Sequence, residues 1–257
     1  MKLLQKIAVV LCAVASLTAC DKNAVQDITA PAPAARVRFF NFGVNAPGVN
    51  FYANDTKMTA ISSVTGTEAV TGVAYGGVGS GGLYAGIAPG QYTFTGRIAA
   101  ATDKDLPISG ATATIEAGKH YSFYQSGLYN TTTKRVESFV VEDAFPAAID
   151  YTAAQVRFVN GIFNSSPMTL YARNTTTGAE VVIGGPVAYQ TGGTFVSVPN
   201  GVYDLSTRVG TSATNVIVRT AVSFSSSRVY TITSRGDMTV PGTTAVNRPF
   251  LDNTLNR

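Results

Sequence analysis

Ala35-Arg36-Val37-Arg38-Phe39-Phe40-Asn41 and Ala154-Gln155-Val156-Arg157-Phe158-Val159-Asn160 are two copies of one stretch. Val37 and Phe39 point to one side of an extended chain, Arg36 and Arg38 to the other. That period of two belongs to a strand and not to a helix. Behind the two copies the halves stay in register. Arg36 to Tyr52 aligns with Gln155 to Tyr171 without a gap. Val73-Ala74-Tyr75 matches Val187-Ala188-Tyr189, and Ala88-Pro89-Gly90-Gln91-Tyr92 matches Val198-Pro199-Asn200-Gly201-Val202-Tyr203 with one insertion. Arg97 matches Arg208, His120-Tyr121-Ser122-Phe123 matches Val229-Tyr230-Thr231-Ile232, and Gly127 matches Gly236. The endings Val140-Val141-Glu142-Asp143 and Phe250-Leu251-Asp252-Asn253 are weakly alike. So many pairings in one order read as a tandem repeat of about 110 residues per unit, an ordinary domain size.

The alternation continues in Val49 to Ala53, Tyr92 to Arg97, Thr112 to Ala117 and Tyr230 to Thr233. Asn45-Ala46-Pro47-Gly48, Pro89-Gly90, Ala117-Gly118 and Pro199-Asn200-Gly201 break it with turn residues. This spacing predicts about seven or eight short antiparallel strands per unit. The expected fold is all-β: two tandem antiparallel β-sandwich domains, immunoglobulin-like or transthyretin-like, with no helix longer than a turn. The expected boundaries are a signal peptide over 1–19, a tether over 20–34, sandwiches over 35–145 and 154–257, and a linker over 146–153. The linker is short and partly apolar, which suits packing against both domains.

Residues 1–19 carry a short basic start with Lys2 and Lys6, then an apolar run from Ile7 to Ser16 that is too short to span a bilayer. Leu17-Thr18-Ala19-Cys20 resembles the bacterial lipobox, in which the cysteine is acylated and becomes the new N-terminus. Cys20 is therefore the expected lipidation site, and several acyl chains on one residue anchor stably. Alternating Ala and Pro up to Ala34 favours an extended tether, reaching about 40 Å from the lipid. The expected address is the bacterial cell envelope, at the outer membrane or the periplasmic face.

Composition narrows the chemistry. Both cysteines, Cys12 and Cys20, lie in the first twenty residues. A disulfide framework, a thiolate zinc site and a cysteine nucleophile are thereby excluded from the sandwiches. Net charge is +4, but two of the basic residues leave with the signal peptide and the remainder are scattered singly. No basic patch is present to bind nucleic acid.

The opening strand, the turn Asn45-Ala46-Pro47-Gly48, Val49-Asn50-Phe51-Tyr52 and the entry Pro89-Gly90-Gln91-Tyr92 together resemble a bacterial family, the domain of unknown function (DUF) 4397 family. The resemblance implies secreted or lipid-anchored proteins and carries no activity. Asn41 and Asn160 stand where such relatives commonly carry His, and Asn50 and Thr169 where they carry Asp. Any ligand role of that His and Asp does not transfer.

No catalytic constellation is signalled, and no cofactor or metal is expected. His120 is the only histidine, ahead of a strand and matched by Val229. Asp103-Lys104-Asp105 and Glu142-Asp143 read as loop carboxylates, short of a calcium ligand set. Gly76 to Gly82 is rich in glycine, but no Lys-Ser/Thr and no helix follow it, so it is not a phosphate loop. Recurrent polar and aromatic residues supply the candidate binding positions: Arg38 and Arg157, Arg97 and Arg208, Tyr75 and Tyr189. The function expected is non-catalytic binding or scaffolding, with a protein or glycan partner. The alternatives are an envelope polysaccharide or peptidoglycan hydrolase and a carbohydrate-binding module.

Overall fold

Among the described residues, alternating side chains between close-set turns produce eighteen strands and a single short 3-10 turn at Gly79–Gly82. The computed structural model describes residues 34–59 and 71–257. The leader, Cys20 and all but the last residue of the tether lie outside them.

The first half contains β1 (Ala35–Val44), β2 (Val49–Ala53), β3 (Thr56–Lys57), β4 (Gly77–Val78), β5 (Ala85–Ile87), β6 (Gly90–Ile98), β7 (Pro107–Ile115), β8 (His120–Asn130) and β9 (Arg135–Glu142). The second contains β10 (Ala153–Asn160), β11 (Met168–Asn174), β12 (Glu180–Val187), β13 (Thr191–Gly192), β14 (Val196–Pro199), β15 (Gly201–Val209), β16 (Ile217–Phe224), β17 (Val229–Arg235) and β18 (Phe250–Leu255). Among the described residues each half has nine strands, where seven or eight were expected. The surplus comes from two- and three-residue pieces such as β3 to β5, which are too short to show a period.

Sheet order repeats as well. One sheet of the first half runs β4-β1-β8-β9, with β5 also on β1, and the other runs β3-β2-β6-β7. The second half gives β13-β10-β17-β18, with β14 on β10, and β12-β11-β15-β16. All the ladders are antiparallel except two, β1 with β8 and β10 with β17. Each half is thus a sandwich of two sheets, and the first strand is central in its sheet.

Both cores grow from the face that the period of two assigns inward. Val37, Phe39, Phe51, Phe94 and Phe123 are buried in the first, with the Phe39 and Phe51 rings stacked at 5.3 Å. Val156, Phe158, Leu170, Leu205 and Ile232 fill the second. Each fully buried side chain of this kind is worth about 1.5–3 kcal/mol. At the strand ends the two asparagines fasten the entry loops. Asn41 Nδ2 donates to Val73 O at 2.8 Å, and its Oδ1 accepts from Gln125 Nε2 at 2.8 Å. Asn160 does the same with Val187 O at 3.1 Å and the Ser234 hydroxyl at 2.9 Å. Tyr121 and Tyr230 accept from the backbone N–H of Glu116 and Ser225, closing the turn before their own strands.

A third apolar cluster joins the halves: Phe40, Phe42, Tyr124 and Phe139 from the first and Val159 from the second. Within this cluster the first half supplies the rings and the second supplies Val159. A Cβ on Gly192 would meet Val141 Cγ1 at 2.9 Å, so glycine is what lets β13 lie this close. The linker is hydrogen-bonded near both ends. Arg257 Nη2 donates to Pro146 O at 2.8 Å, and Ser227 N–H donates to Asp150 O at 3.1 Å.

Candidate functional site

Arg38 and Arg157 sit at matching ladder positions, and alternation aims both away from their own cores. That outer face is covered by the opposite half, and both side chains are buried. Arg157 Nε donates to Thr231 Oγ1 at 3.0 Å, Nη1 to Glu142 O at 2.9 Å, and Nη2 to the Asp143 carboxylate. The Phe195 ring lies 4.9 Å away. Arg38 Nη1 donates to Leu255 O at 3.3 Å and to Asn256 Oδ1 at 3.1 Å, with the Tyr84 ring 4.0 Å away.

These two contacts are one contact made twice. The ladders place Glu142 opposite Tyr121 and Leu255 opposite Tyr230. Glu142 therefore corresponds to Leu255, and Asp143 to Asn256. This corrects the match of the two endings made from sequence, which was out by three residues. Each ending runs two apolar residues into two polar ones, and in the second half that likeness falls three residues before the equivalent sheet position. Asp143 also accepts from the Ser122 hydroxyl at 2.8 Å and the Tyr84 hydroxyl at 2.6 Å. Burial, with the Asp143 charge acting in the same direction, pushes the Tyr84 phenol well above its usual value. These arginines are joints between the halves and have no access to a ligand.

Tyr75 and Tyr189 lie beside the same seam. The Tyr189 hydroxyl donates to Glu137 Oε2 at 2.7 Å, and its ring edges against Phe139 at 6.3 Å. Tyr75 lies under the Arg235 guanidinium at 5.0 Å. Gly76 adopts a positive φ of 77°, and a Cβ there would sit 3.1 Å from Arg235 Cζ. The glycine-rich run 76–82 thus supplies β4 and a tight turn under an arginine of the second half.

Arg97 and Arg208 are on the outer sheets, away from the seam. Arg97 lies over Tyr52 at 4.3 Å and pairs with Asp55 at 3.0 Å. Arg208 lies over Tyr171 at 4.0 Å and makes two bonds to Glu180, at 2.8 and 2.7 Å. The candidate residues therefore fall into separate places and do not converge on one site. His120 is half-buried at the start of β8, edge-on to Tyr84 at 5.1 Å and near Phe145 at 5.0 Å. It lines a cavity of about 280 Å³ with Lys119, Glu142, Phe145 and Arg257. Among the described residues no group of three or more His, Cys, Asp or Glu could hold a metal ion.

The largest of the cavities described is one that the repeat does not share. The first half joins β8 to β9 through the short turn 131–134, whereas the second half joins β17 to β18 through residues 236–249. That excursion is pinned by Asp237, whose carboxylate accepts from Thr239 N–H at 2.8 Å and Asn164 Nδ2 at 2.8 Å. Between it and β16 opens a cleft of about 610 Å³ lined by Val216, Val218, Met238, Val240, Phe250 and Arg248, among others. Val218 is 54% exposed, high for a valine on a strand. None of these residues stands among the candidate binding positions of the sequence. The signal available was the unequal length of the two connections after Gly127 and Gly236.

No curated protein matches the chain. Among solved structures, a candidate cell adhesion protein from Bacteroides ovatus is similar at 9% identity, with a TM-score of 0.23, over 87% of this chain and 96% of that one. The family model described as "Domain of unknown function (DUF4397)" matches residues 35–171, which take in all of the first half and run into β11 of the second. With more than half of its residues inside that match, the chain belongs to the DUF4397 family.

Proposed function

We propose that the chain is a non-catalytic binding or scaffolding protein of a bacterial cell envelope, lipid-anchored through Cys20, at the outer membrane or the periplasmic face. It presents the cleft of its second half to a protein or glycan partner. The observation that carries this reading is an open cleft of mixed apolar and polar lining on a body whose two halves are joined by buried side chains. Binding sites commonly ride on loops over rigid sandwiches in this way. The hydrolase reading would need free carboxylates converging in a cavity. Of the carboxylates lining the cavities described, Glu142 is held by Lys119, Asp143 by Arg157 and Glu180 by Arg208, while Asp204 accepts from Ala221 N–H.

The test has two arms. Cys20→Ser is expected to abolish labelling with radioactive palmitate and to move the protein out of the membrane fraction; persistence in that fraction would remove the anchor from the proposal. Glycan arrays and crosslinking from a photoreactive residue at Val218 are expected to give a saturable partner. If both stay blank with folded protein, the binding reading falls.

A further inference from the structure

We infer that the cleft beside β16 binds a small amphipathic carboxylate, its aliphatic body against Val218, Met238 and Val240 and its carboxylate on the Arg248 guanidinium. The inference rests on the reading of the chain as a binding protein and names the ligand chemistry of that same cleft.

An excess of cations carries it. Three guanidinium carbons surround the Phe250 ring, at 5.3 Å for Arg219, 5.0 Å for Arg235 and 5.1 Å for Arg248. One carboxylate serves this group: Asp252, bonded to Arg235 Nε at 2.5 Å. Arg219 donates to Leu251 O at 2.6 Å and Arg248 to Ala245 O at 3.0 Å. The charge of Arg219 acts on Asp252 without a bond to it, and among the described residues Arg248 makes no salt bridge. A guanidinium carries five N–H donors, so one backbone bond leaves Arg248 with most of its capacity. It stands on the wall of a cavity that also presents the side chains of Val216, Val218, Met238 and Val240. A cation without a carboxylate partner in a concave site attracts an anion more than one on a flat surface does.

The volume of about 610 Å³ lies within the range that small ligands fill. An apolar molecule would cover the valines and leave the arginine unsatisfied. A bare inorganic anion would satisfy the arginine and leave the valines wet. A carboxylate joined to an aliphatic chain does both. The first half cannot make this site. At the ladder position of Phe250 it has Glu137, opposite Ser126 where the second half has Arg235. One site per chain is therefore expected.

Isothermal titration of the full chain with octanoate tests this, with 1-octanol and acetate as probes that lack one half of the chemistry. Octanoate is expected to saturate one site, and octanol and acetate to bind at least about tenfold more weakly. Arg248→Met keeps the aliphatic stem and is expected to weaken octanoate about tenfold, the value of one charge-assisted hydrogen bond, while leaving octanol unchanged. Val218→Asp is expected to weaken both. Circular dichroism of each variant establishes that it is folded. No saturable octanoate binding by folded protein, or equal octanoate affinity in both variants and the parent, overturns the inference. Octanoate binding is expected of the Cys20→Ser form too, so a failed cleft and a failed anchor give different results. A glycan or protein partner bound elsewhere, with no octanoate binding, overturns the inference and leaves the broader reading standing.

Discussion

The two buried arginines at the seam make the same backbone contact to the opposite half, yet only one of them meets a carboxylate there. Arg157 reaches Asp143; Arg38, at the equivalent place, reaches Asn256. Tyr84 links the two joints, because its ring lies under Arg38 while its hydroxyl donates to Asp143. A single carboxylate therefore lies near two buried guanidiniums. The comparison teaches that equal geometry can carry unequal energetics: one joint is an ion pair, and the other rests on neutral acceptors and a ring face.

The largest effect is expected where that carboxylate is removed. Asp143→Ala leaves Arg157 buried without its counter-charge and should cost about 3–5 kcal/mol, read as a lower urea midpoint. Arg157→Met combined with Asp143→Leu should recover most of that loss, because a buried pair is replaceable by apolar groups of similar size. If the single and double variants are equally unstable, the ion pair is not what matters at this joint. Next in size is Asn256→Asp, which gives Arg38 a carboxylate and makes the two joints alike. A gain of about 1 kcal/mol is expected, and unchanged stability would mean that Arg38 is already satisfied by its carbonyl and ring. Tyr84→Phe copies Phe195 and should cost about 1 kcal/mol for the lost bond to Asp143, with a thermal shift as the measurement.

The smallest effect concerns pH. Burial holds the His120 imidazole below its usual value, and the charges of Arg36, Arg257 and Arg38 act in the same direction against an opposing pull from Asp143. The unfolded chain therefore takes up this proton first as pH falls through about 6.5, and the folded state loses stability until the folded imidazole itself protonates. His120→Val, which copies Val229, should reduce the fall in urea midpoint between pH 7 and pH 5. An identical fall in both proteins would remove His120 as its source.

Much of the core was legible because a period of two records which side chain faces inward. Val37, Phe39, Val156 and Phe158 are buried on the side that alternation predicts. The same rule gives only a direction for the other face, and cannot say whether water or a second sheet lies there. Arg38 and Arg157 read as outward residues and are buried, because what covers them belongs to the other half, 217 residues away for the Arg38 contact to Leu255 and across the linker for the Arg157 contact to Glu142. The parallel pairing of β1 with β8 was hidden for a related reason, since no local turn joins those strands. The cleft was hidden by the comparison of the repeats itself. Residues shared by the repeats mark positions that both halves have, while Met238, Val240 and Arg248 lie in the longer of the two equivalent connections.

The parallel ladders also govern when the protein can form. Asn41 bonds to Gln125 across 84 residues and Asn160 to Ser234 across 74, so each central strand waits for nearly its whole half before its long partner arrives. Long-range pairing of this kind makes folding slow. As the chain emerges from its N-terminus, the first half must hold Phe40, Phe42 and Tyr124 uncovered until β10 and β17 are in place. That interval is when the molecule is most exposed to self-association, and a chaperone that shields sheet faces would be needed most at that stage.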